Sequence, residues 1–215
     1  MNWQEFTALL VLATAMSFSP GPNTTLASAL GANHGLRRAM PFVCAVPGGW
    51  GVLLSLCTLG LGALLLAVPL LAWAVKLLGV AYLLWLAAKL IGVRFQFSQL
   101  SRQSGPADSR PGISPPPVTF WQGAALQFVN IKAWLLAVAI VSGWIAGRGD
   151  AAVRFAIVLP VMLFFAFASN LTYALVGSLL RDWLAGPNGS GRRLVWFNRV
   201  MALVLVATAV WMLFV

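Results

Sequence analysis

The stretch Ser17-Phe-Ser19-Pro20-Gly21-Pro22-Asn23-Thr24-Thr25 decides how this chain is read. It sits in the middle of an apolar segment of roughly 6–32. A proline in a helix interior removes a hydrogen bond and clashes with the preceding turn, at a cost of about 3 kcal/mol. Two prolines flanking a glycine interrupt the helix. Ser19 followed by Pro20 is a good N-cap and first helical position. A second half-helix is therefore expected to start here, with free N–H groups and a positive dipole end inside an apolar layer. Such an end suits an anionic group, a carboxylate for example. The alternative is a structural kink repaired by neighbouring helices.

That the layer is lipid follows from composition. The 215 residues are 60% hydrophobic and 8% charged, against about 25% charged in an ordinary soluble domain. Mean hydropathy is +0.89. There is too little polar side chain to cover a water-facing surface, which excludes a soluble globular protein, a disordered chain and a nucleic-acid-binding domain. Runs such as Leu61 to Val75 are apolar on every side, unlike the alternating strands of a membrane barrel. A spanning helix needs roughly 20 apolar residues. Six apolar segments are readable, at about 6–32, 40–67, 70–91, 118–145, 153–180 and 195–215. The expected fold is an all-α membrane protein with six transmembrane helices; a five-span reading with the 40–91 region miscounted is the alternative.

The one long polar stretch, Arg94 to Pro117, ends in three prolines and reads as a flexible cytoplasmic linker. It divides a first three-helix half, 1–93, from a second, 118–215. Leu56 to Leu65 and Leu171 to Leu180 align without gaps around Gly62 and Gly177. Three spans per half would make the halves inverted repeats, the pattern of many secondary transporters, whose sites lie near midplane at broken helices. Net charge is +10. With the N-terminus outside, ten basic residues (Arg37, Arg38, Lys89, Arg94, Arg102, Arg110, Arg181, Arg192, Arg193, Arg199) fall in inner loops and three (Lys76, Arg148, Arg154) in outer ones. The positive-inside rule then gives N-out and C-out. Glu5 is the only charge near the N-terminus, so no cleaved signal peptide is read. Trp3, Trp121, Trp144, Trp183 and Trp196 stand near span ends, where an interfacial belt would place them.

A second polar group, Gln127, Asn130 and Lys132, falls inside the fourth span. A central lysine costs roughly 2.5–3.5 kcal/mol on insertion scales, so it should face a cavity or a partner. No Asp or Glu sits deep in any span. The partner is thus either a bound carboxylate or backbone carbonyls; a strut to the C-terminal carbonyls of the first half-helix weighs equally. In an unbroken helix Asn130 and Lys132 lie about 200° apart, so both line one site only if the backbone unwinds. Asn170, Thr172 and Tyr173 in span five either line the cavity or hold helices together. Pro47-Gly48-Gly49-Trp50-Gly51 bends span two or lets helices approach. His34, the only histidine, reads as a solvated loop residue.

The sequence resembles the lysine-exporter superfamily of bacterial amino-acid exporters, with its threonine and homoserine branch. The resemblance rests on Ser19-Pro20-Gly21-Pro22-Asn23 and on Phe120-x-x-Gly123 with Asn130-Ile131-Lys132. Lys76-Leu-Leu-Gly79-Val-Ala-Tyr82-Leu83 and Asn198-Arg199 support it across the chain. The family's span-four motif is usually Asn-Pro-Lys; Ile131 stands here at the proline. The resemblance implies export of amino acids or related small solutes across the cytoplasmic membrane, driven by an ion gradient.

The leading reading is thus a secondary exporter in the inner membrane with broken helices one and four. Ser19, Pro20, Gly21, Pro22, Asn23, Thr24, Gln127, Asn130, Lys132, Asn170 and Tyr173 are its expected cargo-binding residues. An exporter or channel for another solute or ion on the same scaffold is the alternative. An intramembrane serine protease would need a histidine base beside its serine, and His34 is in a loop. No metal site or cofactor is expected: Cys44 and Cys57 point to separate faces of one segment, and no Cys/His spacing fits zinc. The missing buried acids favour a neutral cargo over Lys or Arg. Gly31-x-x-x-Gly35 and the glycine-rich second span permit a homodimer.

Overall fold

The computed structural model describes residues 1–103, 118–186 and 191–214, with 92–103 described as main chain only. Among the described residues there are ten α-helices and one π segment. In the first half they are α1 (Trp3–Phe18), α2 (Pro22–His34), α3 (Leu36–Thr58), α4 (Leu61–Ala67) and α5 (Pro69–Gln103). In the second they are α6 (Phe120–Val129), α7 (Ile131–Ile140) continuing as a π turn (Val141–Ile145), α8 (Ala151–Leu179), α9 (Arg181–Ala185) and α10 (Arg192–Phe214).

Four helical stretches are long and apolar enough to cross a membrane: α3, the Pro69–Ile91 part of α5, α8 and α10. The pair α6 and α7 with its π turn adds a fifth, bent by 69°. α1 and α2, at 16 and 13 residues, are each too short to cross alone. α5 continues as helix past Arg94 to Gln103; the rest of the expected linker, 104–117, lies outside the described residues.

Local chemistry explains the ends. Asn2 and Glu5 form a reciprocal capping box on α1, at 2.7 and 2.9 Å, and Thr119 and Gln122 do the same on α6. α3 runs through Pro41 and Pro47; it stops at Leu59-Gly60, where Gly60 takes a φ of +107° that side chains rarely adopt.

Two buried clusters fill the bundle, one at each end. Leu26, Phe42, Leu83, Leu126, Ala174 and Leu205 knit α2, α3, α5, α6, α8 and α10. Leu9, Leu53, Trp134, Ile140, Ile145 and Met162 knit α1, α3, α7, the π turn and α8. In the first, main chains touch: a methyl on Gly31 or Gly177 would meet the carbonyl oxygen of Ala174 or Ser28 at 2.1 Å, and one on Gly49 would meet that of Ala124 at 2.5 Å. Small residues bring lipid-embedded helices this close. Gly31 is therefore spent inside the protomer, as is Gly49. Asn33 and Asn198 exchange amide hydrogen bonds of 2.7 and 2.9 Å between α2 and α10. His34 is half-buried as the last residue of α2, where the loop reading expected a solvated side chain.

Opposite ends carry different charge. Arg38, Lys89 and Arg181 gather around His34 where α2 ends and α3 begins, beside Arg37 in the chain. At the other end Arg154 binds Asp150 at 2.7 Å and Glu5 at 3.2 Å, tying α1 to α8. Trp3, Trp121, Trp183 and Trp196 are exposed as an interfacial belt requires. Trp144 is not: its indole N–H donates to the Glu5 carbonyl at 2.8 Å.

Candidate functional site

Between the two clusters the chain breaks twice, and both breaks open on one cavity of about 60 Å³. The first separates α1 from α2 at Ser19–Gly21, with Gly21 fully extended. The second separates α6 from α7 at Asn130, whose backbone leaves the helical region with φ −91° and ψ 101°. The unwinding there lets Asn130 and Lys132 line the same cavity, despite their separation on a continuous helix. No proline is needed.

Freed main-chain groups inside an apolar layer require partners, and the chain supplies them from both near and far. At the C-terminus of α1, the Ser19 hydroxyl donates to the Met16 carbonyl at 2.9 Å. The Tyr173 hydroxyl donates to the Phe18 carbonyl at 2.9 Å. The Lys132 ammonium donates to the Ser19 carbonyl at 3.2 Å and to its hydroxyl at 2.6 Å. At the second break the Trp134 indole N–H donates to the Phe128 carbonyl at 2.8 Å. A methyl on Gly79 would sit 2.0 Å from the Val129 carbonyl oxygen, so only glycine lets α5 pass there.

At the start of α2, Thr24 closes a box with Gly21: its hydroxyl accepts the Gly21 N–H at 3.0 Å and donates to the Gly21 carbonyl at 3.1 Å. Thr25 N–H returns to that same carbonyl. The Asn23 and Thr24 N–H groups have no acceptor among the described residues. Asn23 and Gln127 exchange amide hydrogen bonds at 2.9 and 3.1 Å, and Gln127 also donates to the Gly123 carbonyl. Among the described residues two buried side-chain acceptors are left unpartnered: the amide oxygens of Asn130 and Asn170. Both residues line the cavity and are 3% exposed. The residues lining the cavity thus include Lys132, the two with unpartnered main-chain N–H groups and the two whose amide oxygens lack a donor.

Of the residues singled out in the sequence, Ser19, Gly21, Pro22, Asn23, Thr24, Asn130, Lys132 and Asn170 line the cavity. Pro20, Gln127 and Tyr173 do not: Gln127 stands behind Asn23, and Tyr173 holds the end of α1. Sequence reasoning missed the apolar wall, chiefly Met16, Trp50, Leu136 and Met162. One signal was available, since Met162, Ala166, Ser169 and Asn170 recur at helical spacing on α8.

A family profile described as LysE type translocator matches residues 14–214. The chain belongs to that family. This LysE type translocator is similar to the cysteine/O-acetylserine efflux proteins of Escherichia coli (strain K12) and Shigella sonnei (strain Ss046). Each is 31% identical over 204 residues, covering 93% of this chain and 91% of the relative. No solved structure matches it. A LysE type translocator is a transporter and not an enzyme.

Proposed function

We propose that this protein is a secondary exporter of small neutral amino acids in the cytoplasmic membrane, working as six spans with α1/α2 and α6/α7 as the broken first and fourth. The observation that carries the reading is that Asn130 and Asn170, whose buried amide oxygens lack a donor, line the same cavity as Lys132. A buried acceptor without a donor costs roughly 1–3 kcal/mol; a zwitterion removes that cost at both of its ends. Its carboxylate takes the Asn23 and Thr24 N–H groups and Lys132, and its ammonium donates to Asn130 and Asn170. No acidic side chain lines the cavity, which disfavours a cationic side chain, and the wall of Met16, Trp50, Leu136 and Met162 suits an uncharged one. The efflux relatives support cysteine and O-acetylserine as first candidates.

Each broken span packs on the second span of the other half: α1 and α2 on α8, α6 and α7 on α3, while α5 packs on α10. That exchange supports an inverted 3+3 arrangement with rocking halves. The basic end at α2 and α3 supports N-out and C-out. Uptake of radiolabelled cysteine or O-acetylserine into inverted vesicles, with and without a proton gradient, tests the reading. Gradient-stimulated uptake supports it; flux indifferent to the gradient points to a channel on the same scaffold.

A further inference from the structure

The Lys132 side chain does more than line the cavity. Its ammonium reaches across from α7 to the last residue of the α1 terminus, and its stem lies over Gly21. A methyl on Gly21 would stand 3.2 Å from Nζ and 3.5 Å from Cδ. The lysine therefore covers the mouth of the turn whose N–H groups are read above as the carboxylate site. Its acceptors at Ser19, a hydroxyl and a carbonyl, are both neutral. A carboxylate is the stronger partner for an ammonium, because it adds the attraction of a full negative charge that neither neutral acceptor carries. Near the cavity, Tyr173 is the one other side-chain donor from another helix to the end of α1 among the described residues.

We infer that Lys132 is an exchangeable tether: in the empty site it pins the end of α1 through Ser19, and the arriving carboxylate draws it off Ser19 and Gly21, which unpins α1. Ser19 is then a positioning residue that competes with cargo, and occupancy is linked to movement of one half-helix. The inference rests on the proposed function insofar as the cargo carries a carboxylate. It adds a sign that direct binding by Ser19 would reverse. If Ser19 only competes, removing its hydroxyl makes the empty state less favourable and tightens cargo binding. If Ser19 contacts cargo, or serves only the fold, its removal weakens binding or leaves it unchanged.

The test is calorimetric titration of O-acetyl-L-serine into the full chain in lipid nanodiscs, for the parent, Ser19→Ala, Ser19→Cys and Lys132→Met. The cysteine variant keeps the shape and weakens the acceptor, and it repeats the test should the alanine variant fold poorly. The expected result is a Kd about three- to tenfold lower for both Ser19 variants, the net worth of one ordinary hydrogen bond, since the Ser19 carbonyl still holds the ammonium. Lys132→Met should bind at least about tenfold more weakly than the parent. Parent binding with Ser19 variants equal or weaker overturns the tether and leaves the exporter reading standing. Absence of binding in all four forms overturns both.

Discussion

Breaking the Asn23–Gln127 pair should cost unequally from its two sides. Gln127 is fully buried, so Asn23→Leu leaves its Oε1 with no donor in an apolar setting. Its Nε2 keeps the Gly123 carbonyl. A stranded buried acceptor costs about 1–3 kcal/mol; about 2 kcal/mol is the expected loss. Gln127→Met strands Asn23, but Asn23 is partly exposed and opens on the cavity, where water can replace the lost partner. That loss should stay near 0.6 kcal/mol, the usual worth of a hydrogen bond between membrane helices. The double variant strands nothing and should cost about as little as Gln127→Met alone, giving a coupling energy above about 1 kcal/mol. For a chain of this size 1 kcal/mol moves Tm by about 2–4 °C. Thermal unfolding in detergent should therefore place Asn23→Leu about 4–8 °C below the parent, with the double variant above it. Additive losses, or a larger loss from Gln127→Met, would refute the assignment of the pair as mutually satisfied and buried on one side.

Three further outcomes follow from the same structure. Asn170→Leu removes a bare buried oxygen, so Tm should rise by a few degrees while transport falls at least about tenfold; a variant both stable and active would detach Asn170 from the cargo. Gly177→Val drives a side chain into the Ser28 carbonyl, where no flexible group can yield; a loss above about 3 kcal/mol should abolish the monodisperse peak in size-exclusion chromatography. The carboxyl of Glu5, held down by the Asn2 N–H and then by Arg154, and that of Asp150, held down by Arg154, titrate below the ordinary range. A depressed folded pKa stabilises above the unfolded value and is lost as pH falls through the folded one. The clasp between α1 and α8 should thus hold from neutral pH down to about 4 and then weaken, read as a Tm drop that Arg154→Leu largely lacks.

How much of this was legible in the sequence differs between the two breaks. The first declares itself locally, because Pro20 and Pro22 cannot both sit inside a helix. The second is announced only by a conflict of faces between Asn130 and Lys132. Ile131 gives no local reason to stop; what sustains the break is the Trp134 indole six residues on, which caps Phe128, and the tertiary approach of Gly79, which lets the Val129 carbonyl lie against α5. The partners of α1, Tyr173 and Lys132, lie 155 and 113 residues away, beyond any periodicity. Polarity pointed to the correct segments but not to the division of labour within them. Gln127 looked like Asn130, yet one is saturated and the other bare. Apolar wall residues carry no such signal, because Trp50 or Leu136 against a cavity has the same composition as against a helix.

The glycine contacts between α2 and α8 and between α3 and α6 set the spacing of the scaffold by peptide atoms and not by side-chain bulk. Cargo preference can accordingly drift through Trp50, Leu136 or Met162 without resizing the frame that holds them. A deep mutational scan should then split cleanly: positions 31, 49 and 177 refuse every enlargement, whereas the wall trades one solute for another.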